Sequence, residues 1–97
     1  MLPASWYRKA AEQGNARCQF NLGLLYVKGG GVEKDYSAAA KWFRLSAEQG
    51  QDGGQASLGN LYFMGEGVRK DRAQALFWWK KAADQGNKEA QASLERF

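Results

Sequence analysis

The sequence predicts an all-α fold, a right-handed α/α solenoid of about six short antiparallel helices, and three observations support this class. A shift of 36 positions superimposes the chain on itself, so that Gly23 falls on Gly59 and Trp42 falls on Trp78. Within each copy, apolar residues recur at intervals of three and four positions, which is typical of one helix face. Glycines recur at fixed places between these segments, where they permit tight turns.

The repeat divides the 97 residues into sections of a single domain. Residues 16–51 and 52–87 are two full copies, residues 1–15 match the second half of a repeat, and residues 88–97 match the first half or form a C-terminal cap. Stacked repeats bury a continuous core only together, and about three units are usually needed. The chain is therefore expected to be a segment of a longer array or a very small capped one.

The first half of each copy predicts a helix, which we call helix A. Leu22 and Tyr26 lie on one helical face in copy one, and Leu58 and Tyr62 repeat this pattern in copy two. Helix A is expected to end at residues 29–31 and at the matching glycines of copy two, because glycine readily adopts the positive φ that ends a helix.

The second half of each copy predicts helix B. Asp35 and Asp71 precede its apolar run, as N-caps do, and Gln74 would complete a capping box with Asp71. The expected inner face of helix B comprises Tyr36, Ala39, Trp42, Phe43, Ser46 and Ala47, then Ala75, Trp78, Trp79, Ala82 and Ala83. The other expected caps are Gly50 and Gly86 after helix B and Asn15 and Asn87 before the next helix A. The predicted helix order is B, A, B, A, B, A.

Three tryptophans occupy one repeat position, and we interpret Trp6, Trp42 and Trp78 as core residues rather than as a ligand cage. Large aromatic side chains among alanines allow helices to pack closely with interdigitated rings. The same position in every copy favours a structural role.

The strings LGLLYVKGGGVEKDYSAAAKWFRLSAEQG and LGNLYFMGEGVRKDRAQALFWWKKAADQG resemble the Sel-one-like repeat, a relative of the tetratricopeptide repeat with a similar α/α superhelix. The resemblance covers nearly the whole chain and rests on L-G-x-x-Y, G-x-G-V, K-D and A-x-x-W. It implies a scaffold or adaptor that brings proteins together, in bacteria often in signalling, envelope or host-interaction roles. The departures are Gly53 and Gly54, expected to loosen the second helix A, Ser46 in place of alanine, and Glu95 in place of glycine, as expected of an end cap.

Catalysis has little support in the sequence. The chain has no histidine, the commonest general base near neutral pH and the commonest metal ligand. Cys18 is the single cysteine, and we interpret it as a small buried apolar residue rather than a nucleophile. The glycine-rich turns lack the lysine and hydroxyl residue of a P-loop. We expect no catalytic residue, no cofactor and no metal site.

Nucleic-acid binding is a weaker hypothesis, prompted by a net charge of +4 and a pI near 9.4. A basic ladder is expected on the outer face of the B helices, formed by Arg8, Arg44 and Lys80. Four residues further along each helix lies a carboxylate, at Glu12, Glu48 and Asp84. Because these opposite charges lie within side-chain reach, a solvated face is favoured over a nucleic-acid site.

The resemblance places the outer side of helix A on the concave face of the superhelix. That side carries Arg17, Phe20, Asn21, Leu24, Val27 and Lys28 in copy one and Ala56, Ser57, Asn60, Phe63 and Met64 in copy two. We expect an extended or helical peptide of a partner protein to bind there. The expected contact residues are Arg17, Phe20, Asn21, Leu24, Lys28, Ser57, Asn60, Phe63 and Met64. The alternative is that Phe20 and Phe63 only seal the junction between adjacent A helices.

A non-catalytic protein-interaction module is therefore the predicted function, with an unidentified protein or peptide as the partner. The alternative is a structural segment that packs on flanking repeats or on copies of itself, since its two ends permit weak head-to-tail association. No membrane span or leader is visible in the sequence. The compartment stays open: cytoplasmic if the chain is complete, periplasmic or secreted if it is a fragment.

Overall fold

The computed structural model describes residues 4–97, and this range contains six α-helices and no strand. The helices are α1 (Ala4–Glu12), α2 (Ala16–Lys28), α3 (Tyr36–Glu48), α4 (Asp52–Met64), α5 (Arg72–Asp84) and α6 (Lys88–Arg96). Helices α1, α3 and α5 are the B helices, and α2, α4 and α6 are the A helices. Each helix packs mainly on its neighbours in the chain. The predicted all-α solenoid is confirmed.

Side-chain caps begin five of these helices. Asn15, Asp35, Asp71 and Asn87 each accept a hydrogen bond from the backbone N–H three residues ahead, at 2.8 to 3.1 Å, as the sequence predicted. Gln51 caps α4 in the same way at 2.8 Å, although glutamine is not a preferred N-cap residue. The position of Gln51 matches that of the two asparagines in the repeat, which is the signal that identifies it.

The predicted capping box at Gln74 is not formed. The backbone N–H of Asp71 instead donates to the carbonyl oxygen of Tyr62 at 2.9 Å, and Asp35 donates to Tyr26 at 3.0 Å. Because the Asp71 backbone N–H already has an acceptor, it is not available to hydrogen-bond the Gln74 side chain, which lies exposed. The long turn after each helix A is thereby tied to the start of the following helix B.

The tryptophan prediction is confirmed at two positions and wrong at the third. Trp42 and Trp78 are 7% and 8% exposed, and each lies in a core cluster with a leucine of helix A, Leu22 or Leu58. Trp6 is 65% exposed. The reason is that no helix A precedes α1 within residues 4–97, so nothing in this range covers the Trp6 indole as α2 covers Trp42.

A glycine on helix A lets helix B approach closely in both copies. A Cβ atom at Gly23 would lie 2.5 Å from the Phe43 ring, and a Cβ atom at Gly59 would lie 2.5 Å from the Trp79 ring. Real Cβ atoms do not come this close, so the aromatic rings occupy the space that a side chain would need. This contact explains why glycine follows leucine in both full repeats.

Gly54 on α4 packs directly against Ser46 on α3, and the two residues are complementary in size. The expected loosening of helix α4 at the glycines is therefore wrong. The helix is continuous from Asp52, and Gly54 is buried against Ser46, whose Oγ would lie 2.6 Å from an added Cβ atom. Ser46 Oγ donates to the carbonyl oxygen of Ala16 at 2.8 Å. The larger side chain on helix B is thus accommodated by the smallest residue on helix A.

We expect Gly54→Ala to destabilise the protein by about 1–3 kcal/mol through overpacking, partly offset by the helix propensity of alanine, about 1 kcal/mol. The double variant Ser46→Ala/Gly54→Ala recreates the alanine pair found 36 residues further on, at residues 82 and 90. Its loss of stability should therefore be smaller than the sum of the single losses, by about 1 kcal/mol. Urea unfolding of all four proteins measures this coupling, and strict additivity would contradict the pairing.

Glutamine side chains link successive repeats. The Nε2 group of Gln49 donates to Gln19 Oε1 at 2.8 Å and to the carbonyl oxygen of Gly14 at 2.9 Å. Gln85 makes the equivalent two bonds one repeat later, at 2.9 and 2.8 Å. Each set joins the end of a helix B to its own helix A and to the end of the preceding helix B.

Candidate functional site

A groove of about 440 Å³ lies along the A helices, and we call it the A-helix groove. Its lining residues are Phe20, Leu24 and Val27 of α2, Ser57, Asn60 and Leu61 of α4, Tyr36 and Phe43 of α3, Glu66 of the turn after α4, and Glu89 of α6. The groove therefore runs from one helix A to the next and is bounded by part of helix B.

Two glycines position the aromatic side chains of the groove. Gly23 leaves room for the Phe43 ring, and Phe43 packs against Phe20 with ring centroids 6.1 Å apart. A Cβ atom at Gly53 would lie 2.8 Å from Phe20 Cζ, so the absence of a side chain there lets Phe20 reach α4. Phe20 consequently lines the groove and also seals the junction between α2 and α4.

The groove is acidic although the chain carries a net charge of +4. Glu66 and Glu89 are among the described residues that line it, and no lysine or arginine is. The Oε1 atom of Glu89 accepts a hydrogen bond from Asn60 Nδ2 at 3.0 Å, while Asn60 Oδ1 accepts one from Trp79 Nε1 at 2.9 Å. Glu89 is exposed and Glu66 is half-buried, so both carboxylates can meet a cationic ligand at the groove.

The residues predicted for partner contact divide into two groups. Four of them, with Val27, line the A-helix groove: Phe20, Leu24, Ser57 and Asn60. Five of them do not line it: Arg17, Asn21, Lys28, Phe63 and Met64. Arg17, Lys28 and Met64 are exposed, and Asn21 is half-buried. Helical spacing alone assigned all nine residues to one broad side of helix A. Packing of the neighbouring helix leaves only part of that side to line the groove.

Phe63 and Ala56 pack against other side chains of the protein. The Phe63 ring lies 5.2 Å from the Trp79 ring and 4.5 Å from the Phe97 ring, measured between centroids, so it packs toward the C-terminal end. Ala56 is buried in a cluster with Ala75 and Trp79, which corrects its assignment to the concave side. The amide of Asn60 is likewise held in place by its two internal hydrogen bonds.

Several lining residues were missed by the prediction. Tyr36, Phe43 and Leu61 carry the apolar periodicity of a core face, and they contact the core while one edge remains open to the groove. Glu66 lies in a turn and Glu89 on the last helix A, and only their acidic character would have marked them. Copy two has Glu66 where copy one has Gly30, which is a difference between repeats that the sequence does show.

The expected basic ladder on the B helices is wrong for two of its three members. Arg8 and Arg44 are half-buried, and their guanidinium groups donate hydrogen bonds to the hydroxyl groups of Tyr26 and Tyr62. Each guanidinium carbon also lies over the tyrosine ring, 5.8 and 5.6 Å from the centroid. Lys80 is exposed. These arginines connect helices instead of forming an outward cationic stripe.

The remaining chemistry of residues 4–97 is sparse. In this range no three His, Cys, Asp or Glu side chains come together in a way that could hold a metal ion. Cys18 is a free, half-buried thiol packed beside the Leu22 and Trp42 cluster, so it is less buried than predicted. Over the same described part of the chain, no helix is long and apolar enough to cross a membrane.

Comparisons with known proteins give a consistent picture. The family model described as Sel1 repeat matches residues 4–15, 16–51 and 53–87. A protective antigen of uropathogenic Escherichia coli with an SLR fold superimposes with a TM-score of 0.92 at 48% identity, covering 94% of this chain and 20% of that one. A Sel1 repeat protein from Oxalobacter formigenes gives 0.92 at 37% identity, covering 95% and 27%.

A third similar structure is cysteine rich protein B of Helicobacter pylori, with a TM-score of 0.85 at 28% identity, covering 92% of this chain and 67% of that one. The chain spans about a fifth of the length of the Escherichia coli antigen and about a quarter of the length of the Oxalobacter formigenes protein. None of the curated proteins matches the chain.

Proposed function

The chain belongs to the Sel1 repeat family, whose repeats generally mediate protein interactions, and from this premise we propose that it is a non-catalytic scaffold module that binds a partner peptide in the A-helix groove. The observation that carries the proposal is the lining of this groove. Apolar side chains of α2 and α3 lie beside two carboxylates in this groove. Concave sites of this composition are suited to binding a segment of a partner protein.

The chemistry of the lining favours one kind of partner segment. Leu24 and Val27 offer contact to one apolar anchor, while Glu66 and Glu89 lie at the same groove and offer partners to a lysine or arginine. An extended or helical peptide with an apolar residue close to a basic residue fits this arrangement. The proposed anchors therefore lie on helix A and on the turn after α4.

The expected affinity is micromolar. Stable interfaces bury about 800 Å² on each partner, and a groove shared by two full repeats offers less. A dissociation constant near 1 µM corresponds to about 8 kcal/mol of binding free energy. Part of this free energy should come from the carboxylates, so affinity should fall as salt is raised.

The experiment begins with a partner identified by pull-down and continues with mapping by amide shift changes and with two matched substitutions. Leu24→Lys places a positive charge inside the groove, where it would repel a basic peptide. We therefore expect binding to be at least about tenfold weaker. Leu45→Lys is the control, because Leu45 is exposed on a B helix and the equivalent residues 9 and 81 are lysines. It should leave binding unchanged.

A second pair of variants tests the charge assignment. Glu66→Gln and Glu89→Gln should each weaken the binding of a basic peptide by about threefold or more. Each should also reduce the salt dependence of the binding affinity. Glu48→Gln removes the same charge from a B helix and should do neither. Amide shifts confined to Lys41, Lys80 and their neighbours on the B helices would show that the opposite face is the working surface.

A further inference from the structure

Three side chains form a chain of hydrogen bonds that ends at the A-helix groove. The buried indole of Trp79 donates from Nε1 to Asn60 Oδ1 at 2.9 Å, and Asn60 Nδ2 donates to Glu89 Oε1 at 3.0 Å. Asn60 and Glu89 line the groove, whereas Trp79 lies behind them in the core. We call Trp79 and Asn60 the Glu89 support.

The chemistry of the three groups fixes the direction of both hydrogen bonds. An indole N–H can only donate, and a carboxylate can only accept. The amide of Asn60 fits between them because it has one accepting oxygen and one donating nitrogen. The orientation of Asn60 is therefore set from the core side, and the exposed carboxylate of Glu89 is held at a defined place in the groove.

The first full repeat has apolar residues at the same three positions. The residues 36 positions before Asn60, Trp79 and Glu89 are Leu24, Phe43 and Gly53. Neither leucine nor phenylalanine carries a polar side-chain atom, so the chain of hydrogen bonds exists only in the second copy. The groove thus has an apolar subsite at Leu24 and a supported carboxylate at the equivalent place one repeat later.

We propose that Glu89 binds an arginine side chain of the partner segment, and that Trp79 and Asn60 are positioning residues that make the groove prefer arginine to lysine. This inference rests on the proposed function. Asn60 uses one of about four acceptor sites of the carboxylate, so Glu89 can still accept two hydrogen bonds from a guanidinium group. A planar fork benefits from a fixed carboxylate, whereas the ammonium group of lysine acts as a point charge.

The distance between the two subsites sets the spacing of the partner residues. Packed helices lie about 8–10 Å apart, and α2 meets α4 where Phe20 contacts Gly53. In a polyproline II segment, residues three positions apart lie on the same side and about 9 Å apart. A fitting segment therefore carries an apolar residue three positions from an arginine.

The probe is the synthetic peptide acetyl-Arg-Pro-Pro-Leu-Pro-Pro-Arg-amide, which offers this spacing in both chain directions. Its matched control has lysine in place of both arginines. Titration followed by amide shift changes gives the dissociation constant of each peptide. We expect the arginine peptide to bind at least about fivefold more tightly, with shifts at Leu24 and at the side-chain amide of Asn60.

The double variant Asn60→Leu/Trp79→Phe separates positioning from charge. It reproduces the residue pair that the first repeat carries at positions 24 and 43, so its packing has a precedent within the protein. Glu89 keeps its charge in this variant but loses its support. The preference for the arginine peptide should therefore fall below about twofold, although both peptides still bind.

A measurement on the free protein tests the support without any ligand. Glu89→Ala should move the side-chain amide resonances of Asn60 and the indole N–H resonance of Trp79, because Asn60 loses its acceptor. Glu95→Ala is the control, since it removes the same exposed side chain from the same helix. It should leave both sets of resonances unchanged.

Four results would overturn the inference: unchanged resonances in Glu89→Ala, no binding of the arginine peptide, equal affinity for the two peptides, or an arginine preference that persists in the double variant. Equal binding with shifts at Leu24 would leave the proposed function standing. A natural partner that maps to the B helices would instead contradict the proposed function itself.

Discussion

Trp42→Ala is expected to lower the free energy of unfolding by about 3–5 kcal/mol, the usual cost of removing a buried large aromatic side chain. Trp42 joins α3 to α2 and to Ala11 of α1, so its loss opens a cavity where three helices meet. Small domains have only about 5–15 kcal/mol of stability in total. The variant should therefore show a strongly reduced urea midpoint or be largely unfolded at room temperature.

Trp6→Ala provides the matched control, because it removes the same side chain from the same repeat position where the indole is exposed. Its expected cost is below about 1 kcal/mol, as for most surface substitutions. Equal losses for the two variants would show that burial in the array does not determine the contribution of this tryptophan. Denaturation followed by circular dichroism is the suitable measurement, since it does not depend on tryptophan fluorescence.

Gly67→Ala is expected to destabilise the protein by about 2–5 kcal/mol, the sum of two separate costs. Gly67 has a φ of +74°, and a left-handed conformation costs a residue with a Cβ atom about 1–2 kcal/mol. The added Cβ atom would also lie 2.3 Å from the carbonyl oxygen of Tyr36 and 2.8 Å from the backbone nitrogen of Ser37, and overpacking adds about 1–3 kcal/mol. The backbone at the start of α3 cannot move aside as a flexible side chain can.

Gly31→Ala separates these two costs. Gly31 is the equivalent residue one repeat earlier, with a φ of +84°, but no atom lies within 4 Å of an added Cβ. Only the conformational cost of about 1–2 kcal/mol should remain. Thermal unfolding of the two variants compares them directly, and a Gly31→Ala loss as large as that of Gly67→Ala would contradict the assigned contact between the turn and α3.

The parts of the fold that depend on local interactions were predictable from the sequence. Asp35 and Asn87 cap the helices they precede, because a cap needs only a side-chain oxygen and a backbone N–H three residues away. The helix order followed from the repeat itself. Trp6 was mispredicted because identical repeat positions predict identical burial only when each has the same neighbours, and α1 lacks a covering helix A within the described residues.

The candidate site was predictable only in part, for a different physical reason. Leu24 and Asn60 were identified because the outer side of helix A follows from helical spacing. The contribution of Glu66 depends on how the turn lies against the neighbouring repeat, which a single helix does not encode. Arg44 was assigned to an outward face, yet its long side chain reaches the Tyr62 hydroxyl on the next helix A. Side-chain reach, rather than backbone periodicity, decided these positions.

The links between Arg8 and Tyr26 and between Arg44 and Tyr62 both span 18 residues and cross from one repeat into the next. Every such link is therefore satisfied by an adjacent unit, whichever unit that is. An in-frame duplication of 36 residues would preserve each link and add one more, so these links place no limit on the number of units. Lengthening by whole units is thus the simplest route by which such a chain acquires new surface.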